Sequence, residues 1–266
     1  MYRIIQLALK HSAILITPNY RLLPEATGTD IISDLRSFYT WLHTSLPTHL
    51  SAYSLATADL SRVLVTGESS GGYLATQSAL LFSNHSPESG ARFPQAVIAH
   101  YPMLDLMDAH YSEPGEKRFF NQPDPDVPPD YVDRQLAAIR PGTVVTERIP
   151  PDGEIDFFQA LVMAGRFPEV LGKESLLYPM ENLHVIADEG KTLPPTWIFH
   201  GTADTVIPTR GTEAFVQELE RLGLRASWEL KVTYVEGRDH GFDKDGVTLD
   251  TDFVSDGLQW LSSHWP

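Results

Sequence analysis

The stretch VLVTGESSGG, residues 63–72, decides the fold of this chain. Its first four residues predict a buried strand, and the run YLATQSALLF at 73–82 predicts a helix. Between the two lies Gly67-Glu68-Ser69-Ser70-Gly71, which has the spacing Gly-x-Ser-x-Gly. A serine at such a strand-to-helix turn, the nucleophile elbow, presents its hydroxyl at the edge of the sheet. Because the spacing also arises by chance, the surrounding sequence has to decide whether Ser69 is a nucleophile.

The local sequence fits the backbone that an elbow requires. The turn brings strand and helix close together, and Gly67, Gly71 and Gly72 supply the small neighbours. Ser69 then stands at a helix N-terminus, where backbone N–H groups and the helix dipole favour developing negative charge. A phosphate-binding loop is the alternative, but it needs Gly-x-x-x-x-Gly-Lys, and no Lys follows here. The pattern therefore favours the nucleophile elbow.

The rest of the chain alternates strand patterns with helix patterns. Short apolar runs without polar alternation predict parallel strands buried on both faces: AILIT (13–17), RVLVT (62–66), AVIAHY (96–101) and TWIFH (196–200). The segment WELKVTY (228–234) does alternate and predicts a strand nearer the sheet edge. Residues 30–42, 212–224 and 252–261 repeat apolar positions with a helical period. We expect an α/β fold with a mostly parallel sheet flanked by helices.

One long region interrupts this alternation. Residues 105–190 contain no clear strand, and include the polar, proline-rich piece NQPDPDVPPD (121–130) and helical patches at 131–140 and 155–165. The region is too long for an ordinary loop and carries enough apolar residues to pack. We therefore expect a helical insertion at 105–190 on a core made of residues 1–104 and 191–266.

A serine nucleophile needs a base, and the base needs an acid that orients it. Asp204 follows the strand pattern TWIFH, and His240 follows WELKVTY, so both lie past the carboxyl end of a strand. In open α/β sheets that edge binds ligands. The chain order Ser69, Asp204, His240 is the one expected of an α/β-hydrolase triad. Asp239 and Glu236 are competing acids, but they adjoin His240 on its own loop and are less able to reach its ring.

Composition excludes several classes of function. The formal charge of −15 argues against a nucleic-acid partner and against docking on anionic membranes. No apolar run reaches 18 residues, so we expect no transmembrane helix. The chain has no cysteine, which excludes disulfides, a thiolate metal site and a cysteine nucleophile, and fits a cytoplasmic protein. We predict neither a cofactor nor a metal ion, and a small-molecule ester as the partner.

Four motifs together resemble one branch of a known family, the hormone-sensitive-lipase-like α/β hydrolases: YRLLPE (20–25), GESSGG (67–72), HGTADTVIP (200–208) and DHGFD (239–243). The resemblance covers nearly the whole chain, with the motifs in family order. It implies Ser69 as nucleophile, Asp204 as acid and His240 as base. It also implies structural roles for Tyr20-Arg21 and Pro24-Glu25, a carboxylic ester as substrate, and a cap-like role for 105–190.

The sequence departs from that family at its start. The family carries a His-Gly-Gly loop upstream of the Tyr-Arg motif, yet here no glycine precedes Gly28. The resemblance thus implies that the first three strands and the loop that supplies most of the oxyanion hole are missing. The backbone N–H of Ser70, after the nucleophile, remains as an oxyanion donor. We expect the strands at 13–17 and 62–66 to pair directly or leave a gap, and the chain to catalyse or fold poorly without an upstream segment.

Three functions remain open on the sequence alone. The first is a serine hydrolase of carboxylic esters that works through an acyl-enzyme. The second is a catalytically impaired hydrolase-fold protein that acts as a binding or interaction module. The third keeps the triad and cleaves amides or peptides instead. The intact triad pattern favours descent from an active enzyme.

Overall fold

The four strands form one parallel sheet in the order β1-β2-β3-β4. The computed structural model describes residues 2–53, 57–82, 94–122, 126–140, 142–148 and 156–265. The strands are β1 (Leu64–Glu68), β2 (Ala96–His100), β3 (Thr196–Gly201) and β4 (Leu230–Val235). Four of the five predicted strands are thus confirmed, and β4 lies at a sheet edge as predicted. The prediction that the strand at 62–66 is buried on both faces is wrong, because β1 forms the other edge and all five of its residues are half-buried.

Helices connect and cover these strands. Within the described residues they are α1 (Tyr2–Lys10), α2 (Gly28–Thr44), α3 (Leu46–Ala52), α4 (Ser70–Phe82), α5 (Ala109–Ser112), α6 (Tyr131–Ala138), α7 (Phe157–Met163), α8 (Phe167–Leu171), α9 (Pro179–Glu189), α10 (Arg210–Arg221) and α11 (Asp252–Ser262). Thr27 caps α2 with a reciprocal pair of hydrogen bonds, since its side chain accepts from the Asp30 N–H and the Asp30 carboxylate accepts from the Thr27 N–H. The helices predicted at 30–42, 212–224 and 252–261 correspond to α2, α10 and α11.

The predicted strand AILIT (13–17) is wrong. These residues belong to no strand in the described part of the chain, and Ile14 and Leu15 are 44% and 43% exposed. In the sheet β1 pairs with β2 and forms the other edge, so the ladder that would hold residues 13–17 is not formed. Both expected outcomes for this segment, direct pairing with the strand at 62–66 or a gap beside it, assumed a strand at 13–17, and neither applies because no strand forms there. An apolar run becomes a strand only where a neighbour takes up its backbone hydrogen bonds.

The sheet is covered on both faces. Leu183 of α9 and Phe215 of α10 pack with Val97 and Ile198 on one face, together with α4. On the other face α11 lies so close that a Cβ on Gly257 would fall 2.0 Å from the Trp197 ring. The central strands β2 and β3 therefore send alternate side chains into two apolar layers, as a doubly covered parallel sheet requires.

Within its described residues the region 105–190 contains no strand. Its regular elements are helices α5–α9 and a short 3-10 helix at Ser175–Leu177, joined by loops, with one isolated bridge between Phe119 and Gln122. Residues 123–125 of the predicted proline-rich piece, and residue 155 of the second helical patch, lie outside the described residues. Helices α6 and α7 form a small apolar cluster with each other. Helix α9, by contrast, packs against the sheet through Leu183 and Ile186. We infer that a cap-like part would end before Pro179 and that α9 belongs to the core.

Among the helices that the structure describes, none combines the length and the apolar character needed to cross a membrane.

Candidate active site

Ser69 occupies the turn between β1 and α4 with a left-handed backbone, φ 57°. That conformation is uncommon for a residue other than glycine and marks a site held under strain. Two backbone hydrogen bonds hold the turn. The Ser69 N–H donates to the His100 carbonyl at 3.0 Å, and the Ser69 carbonyl accepts from the Tyr73 N–H at 3.0 Å. The backbone angles that the motif predicts for an elbow are therefore present.

The three glycines around Ser69 differ in how much space surrounds them. A Cβ on Gly67 would lie 2.1 Å from the Gly71 carbonyl oxygen, and one on Gly72 would lie 2.8 Å from the His100 carbonyl oxygen. Both distances are far inside van der Waals contact. A Cβ on Gly71 would meet nothing within 4 Å. The predicted need for small neighbours therefore holds at 67 and 72, whereas at Gly71 the space is open.

We expect Gly67→Ala to destabilise the fold and Gly71→Ala to leave it intact. The added methyl at 67 overpacks the turn, which should lower the free energy of unfolding by about 1–3 kcal/mol. At 71 the same methyl sits on a helix in open space, where Ala should be neutral or raise stability by up to about 1 kcal/mol. Urea unfolding of both variants and the wild type makes the comparison. Equal losses in the two variants would contradict this account of the elbow.

Asp204 and His240 meet directly at the carboxyl edge of the sheet. His240 Nδ1 lies 2.8 Å from Asp204 Oδ2. The other carboxylate oxygen, Oδ1, accepts from the backbone N–H groups of Val206 at 3.0 Å and Ile207 at 2.8 Å. The loop after β3 therefore fixes one oxygen and aims the other at the imidazole. The prediction that Asp204 and His240 lie at one sheet edge agrees with this contact.

The surroundings of Asp204 keep it ionised. Burial raises the pKa of this carboxyl, but hydrogen bonds with His200 and His240 outweigh burial and hold the pKa below its ordinary value. His200 is fully buried, with its Nε2 3.3 Å from Asp204 Oδ2 and 2.8 Å from the Ile207 carbonyl. A carboxylate that stays charged can orient an imidazole and stabilise its protonated form.

Asp239, one of the competing acids, serves the loops instead of the imidazole. Its Oδ1 accepts from the backbone N–H of His240 at 2.8 Å and from the N–H of Thr205 at 2.8 Å. Its Oδ2 accepts from the Asn121 amide at 2.9 Å. Asp239 thus ties the Asp204 loop and the His240 loop to each other. Among the described contacts, the ring of His240 pairs with Asp204.

Tyr101 packs against His240 and directly follows His100, the residue whose carbonyl accepts from the Ser69 N–H. It follows β2 directly, and its ring lies 4.6 Å from the imidazole of His240 in a T-shaped contact. Its neighbour along the chain, His100, pairs in register with Glu68, the residue before Ser69. Tyr101 is 1% exposed and its hydroxyl donates to Asp243 Oδ1 at 2.7 Å. This buried tyrosine is therefore placed to support the imidazole from the sheet side.

Behind Tyr101 lies a buried charged cluster. Asp243 also binds His100 Nδ1 at 3.1 Å and is paired with Arg3 of α1. Burial raises the pKa of Asp243, yet the bonds with His100, Tyr101 and Arg3 hold it well below its usual range. Glu68, His100 and Asp243 bring potential metal-ligand atoms within 4.8 Å of one another. Since Asp243 already faces a guanidinium and a phenol donor, we assign no ion to this cluster.

Ser70, the residue after Ser69, begins α4 and is exposed. Its hydroxyl lies 3.2 Å from the hydroxyl of Tyr20. Arg21, the next residue, binds Asp30 and Asp34 of α2 and so anchors the segment that carries Tyr20. The resemblance implies a structural role for Tyr20-Arg21. The structure adds a contact from Tyr20 to the residue that follows Ser69.

A cleft of about 500 Å³ borders Asp204, with walls from residues between 109 and 118 and between 204 and 210. Its polar lining includes His110. Burial and the nearby charge of Lys117 lower the pKa of His110 to about 4, so the ring is neutral near pH 7. Its Nε2–H donates to the Val206 carbonyl at 3.0 Å. His110 therefore steadies the loop that fixes Asp204.

Comparison with known proteins agrees with this architecture. Residues 3–138 match the family described as alpha/beta hydrolase fold. M8 of Phoma sp., named a probable carboxylesterase, is 34% identical over 267 residues, which cover 98% of this chain and 78% of that protein. The chain belongs to the α/β-hydrolase family. Membership confirms the predicted fold and the predicted hormone-sensitive-lipase-like resemblance. The similarity to a probable carboxylesterase supports the predicted class of carboxylic ester hydrolase.

Two further relatives extend the comparison. The non-reducing polyketide synthase Preu6 of Preussia isomera is 29% identical over 285 residues, which cover 95% of this chain and 12% of the synthase. The solved structure of Est2, a thermophilic esterase from Thermogutta terrifontis, has a TM-score of 0.50 and 20% identity and covers 92% of this chain and 68% of that one. At that identity Est2 supports the fold alone.

Sequence reasoning missed three residues at this site: Tyr20, Tyr101 and Phe120, whose ring lies 6.0 Å from the imidazole of His240. A signal existed for Tyr101, because it is the last residue of the predicted strand 96–101 and so had to lie at the same edge as Asp204 and His240. Tyr20 is part of a motif that the resemblance treats as structural. Phe120 lies in the region 105–190, where the sequence has no periodic pattern that would place it.

Proposed function

We propose that the protein hydrolyses carboxylic esters through a covalent acyl-enzyme on Ser69, with His240 as base and Asp204 as orienting acid. The observation that carries the proposal is the 2.8 Å contact between His240 Nδ1 and Asp204 Oδ2 at the edge where the Ser69 turn begins. Serine on a strained turn, imidazole and an ionised carboxylate are the three groups that acyl transfer requires.

The proposed reaction has two halves. Ser69 Oγ attacks the ester carbonyl carbon while His240 Nε2 takes the hydroxyl proton. The tetrahedral intermediate then expels the alkoxide, which receives that proton from His240 and leaves as the alcohol. In the second half His240 takes a proton from water, which attacks the acyl-Ser69 carbonyl and releases the carboxylic acid. His240 then returns the proton to Ser69 Oγ.

The oxyanion formed on the carbonyl oxygen needs hydrogen-bond donors. In this proposal the backbone N–H of Ser70 is one donor, since Ser70 is the first residue of α4 and its N–H has no partner within that helix. The 13-residue helix also directs its positive end toward the same place. The Ser70 hydroxyl and the Tyr20 hydroxyl lie 3.2 Å apart beside it.

A second candidate substrate is a polyketide acyl thioester in place of an oxygen ester. The similarity to a segment of Preu6 over 95% of this chain favours it. The same residues would act, with a thiolate instead of an alkoxide as leaving group. Comparing the thioester and the oxygen ester of one polyketide acid would separate the two candidates.

The experiment that tests the proposal is labelling with a fluorophosphonate, which forms a covalent bond with an activated serine. We expect the wild-type protein to be labelled at Ser69, as located by peptide mass spectrometry, and to hydrolyse p-nitrophenyl butanoate. Ser69→Ala should lose both, while Ser70→Ala, which alters the adjacent hydroxyl and keeps the backbone N–H, should retain the labelling. Labelling of Ser69→Ala at the wild-type rate would exclude Ser69 as the nucleophile.

A further inference from the structure

Phe120 lies at the tip of a tight turn in the region 105–190. Phe119 and Gln122 pair across the turn, and the Gln122 N–H donates to the Phe119 carbonyl at 3.0 Å. The two central residues, Phe120 and Asn121, both have positive φ, 55° and 53°. Glycine is the residue that usually fills such positions, and a bulky phenylalanine there is strained. Turn geometry alone therefore does not account for a phenylalanine at 120.

The neighbours of Phe120 hold the turn against the catalytic loops. Phe119 is buried, with its ring 6.2 Å from that of His110. The Asn121 side chain donates to Asp239 at 2.9 Å, and its backbone N–H donates to the Thr205 hydroxyl at 3.3 Å. The turn is thus fixed to the loop that carries Asp204 and to the loop that carries His240.

This anchoring directs the Phe120 ring to the imidazole. The two ring centroids lie 6.0 Å apart in an edge-on arrangement. Phe120 is nevertheless 51% exposed, whereas Tyr101, the other aromatic on His240, is 1% exposed. Of these two rings only Phe120 has an open face that a ligand can contact. A half-exposed phenylalanine beside the catalytic histidine is available to a substrate.

The chemistry of the reaction says which part of the substrate this is. His240 must deliver its proton to the oxygen of the departing alcohol, so the alcohol part lies beside the imidazole during acylation. A side chain packed on the imidazole and open to solvent is within reach of that group. The acyl part stays bonded to Ser69 through both halves of the reaction and needs no contact with this face.

Resting on the proposed ester hydrolysis, we propose that Phe120 is a specificity-determining residue that forms a wall of the alcohol pocket. It favours esters whose alcohol part carries an aromatic or other flat apolar group. Offset or edge-to-face aromatic contact rewards such a group beyond its simple burial. The left-handed strain at Phe120 is then the cost of placing a ring at this position.

The test uses three esters of one acid: benzyl, cyclohexylmethyl and ethyl butanoate. All give the same acyl-enzyme, so differences in kcat/KM report the alcohol side. We expect the wild type to prefer the benzyl ester, and Phe120→Gly to lower kcat/KM for that ester by about threefold to tenfold relative to ethyl butanoate. The ratio between ethyl hexanoate and ethyl butanoate, which reports the acyl side, should not change.

Glycine is chosen because it adopts a positive φ without strain, so Phe120→Gly should melt at or above the wild-type temperature. A lower kcat/KM for the benzyl ester in this variant can then not be attributed to unfolding. Phe120→Tyr, which keeps the ring, should retain the benzyl preference. Tyr53→Ala is the matched control, since Tyr53 is an aromatic residue 65% exposed at the end of α3. An unchanged benzyl-to-ethyl ratio in Phe120→Gly would overturn the assignment.

A binding measurement separates this proposal from the proposed function. In the Ser69→Ala background, benzyl alcohol is titrated against the protein with and without Phe120→Gly and followed by NMR. Weaker binding of benzyl alcohol in the variant without the Phe120 ring supports the assignment of Phe120 to the alcohol pocket. Equal binding overturns that assignment, whether or not the wild type hydrolyses any ester. Absence of both labelling and turnover in the wild type would instead reject the ester hydrolase.

Discussion

A protein that carries both Ser69→Ala and His240→Ala should hydrolyse esters no more slowly than either single variant. We expect each single substitution to reduce kcat by about 10⁶-fold, the size found when a member of such a unit is removed. The base takes the proton of the nucleophile in the same step in which the nucleophile attacks. When either residue is lost, the remaining one therefore cannot carry out that step. The remaining rate comes from binding and from the oxyanion donors, which neither substitution removes.

The measurement is steady-state hydrolysis of p-nitrophenyl butanoate at high enzyme concentration, with the melting temperature of each variant as a check on folding. His184→Ala is the control, because His184 is an exposed histidine on α9 that contacts Glu218 of α10. We expect it to keep the wild-type kcat. A double variant that is much slower than both single variants would show that His240 acts independently of Ser69.

Much of this site could be predicted because the carboxyl ends of parallel strands meet at one edge. Knowing the strands that precede Ser69, Asp204 and His240 was enough to expect the three residues together. The choice of Asp204 over Asp239 also followed from geometry, since an acid adjacent to His240 cannot easily reach its own neighbour's Nδ1. In the structure Asp239 accepts hydrogen bonds from the backbone N–H groups of Thr205 and His240 instead of contacting the imidazole.

Two features could not be read from the sequence because they depend on contacts far apart in the chain. The run AILIT has strand character, but whether it becomes a strand depends on a neighbour beside β1. Phe120 lies 120 residues before His240, and the bonds from Asn121 to the loops that carry Asp204 and His240 hold it there. The local sequence pattern predicts a strand or a helix, but contacts between residues far apart in the chain depend on the complete fold.

Asp204→Asn should reduce kcat by about 10⁴-fold while leaving the fold intact. The asparagine oxygen can keep the Val206 and Ile207 N–H bonds that Oδ1 accepts, so the NH₂ group takes the place of Oδ2. An NH₂ donor 2.8 Å from His240 Nδ1 requires that nitrogen to accept, which puts the ring proton on Nε2. That nitrogen must be free to take the Ser69 proton, so the substitution selects the wrong tautomer. It also removes the charge that stabilises the imidazolium.

Asp239→Asn is the matched control for the loss of Asp204, because it removes a carboxylate charge within the same pair of loops. Its oxygen can still accept from the N–H groups of Thr205 and His240, so the loops stay together and the imidazole keeps its partner. We expect kcat to fall by about tenfold or less. The substitution removes the negative charge that strengthens the hydrogen bonds accepted by Asp239, and such bonds contribute about 1.5–3 kcal/mol each. Steady-state rates of the two variants at one pH decide between the acids. If Asp239→Asn lost as much as Asp204→Asn, or more, Asp239 would share the orienting role, and the contact between Asp204 and His240 would not by itself define the unit.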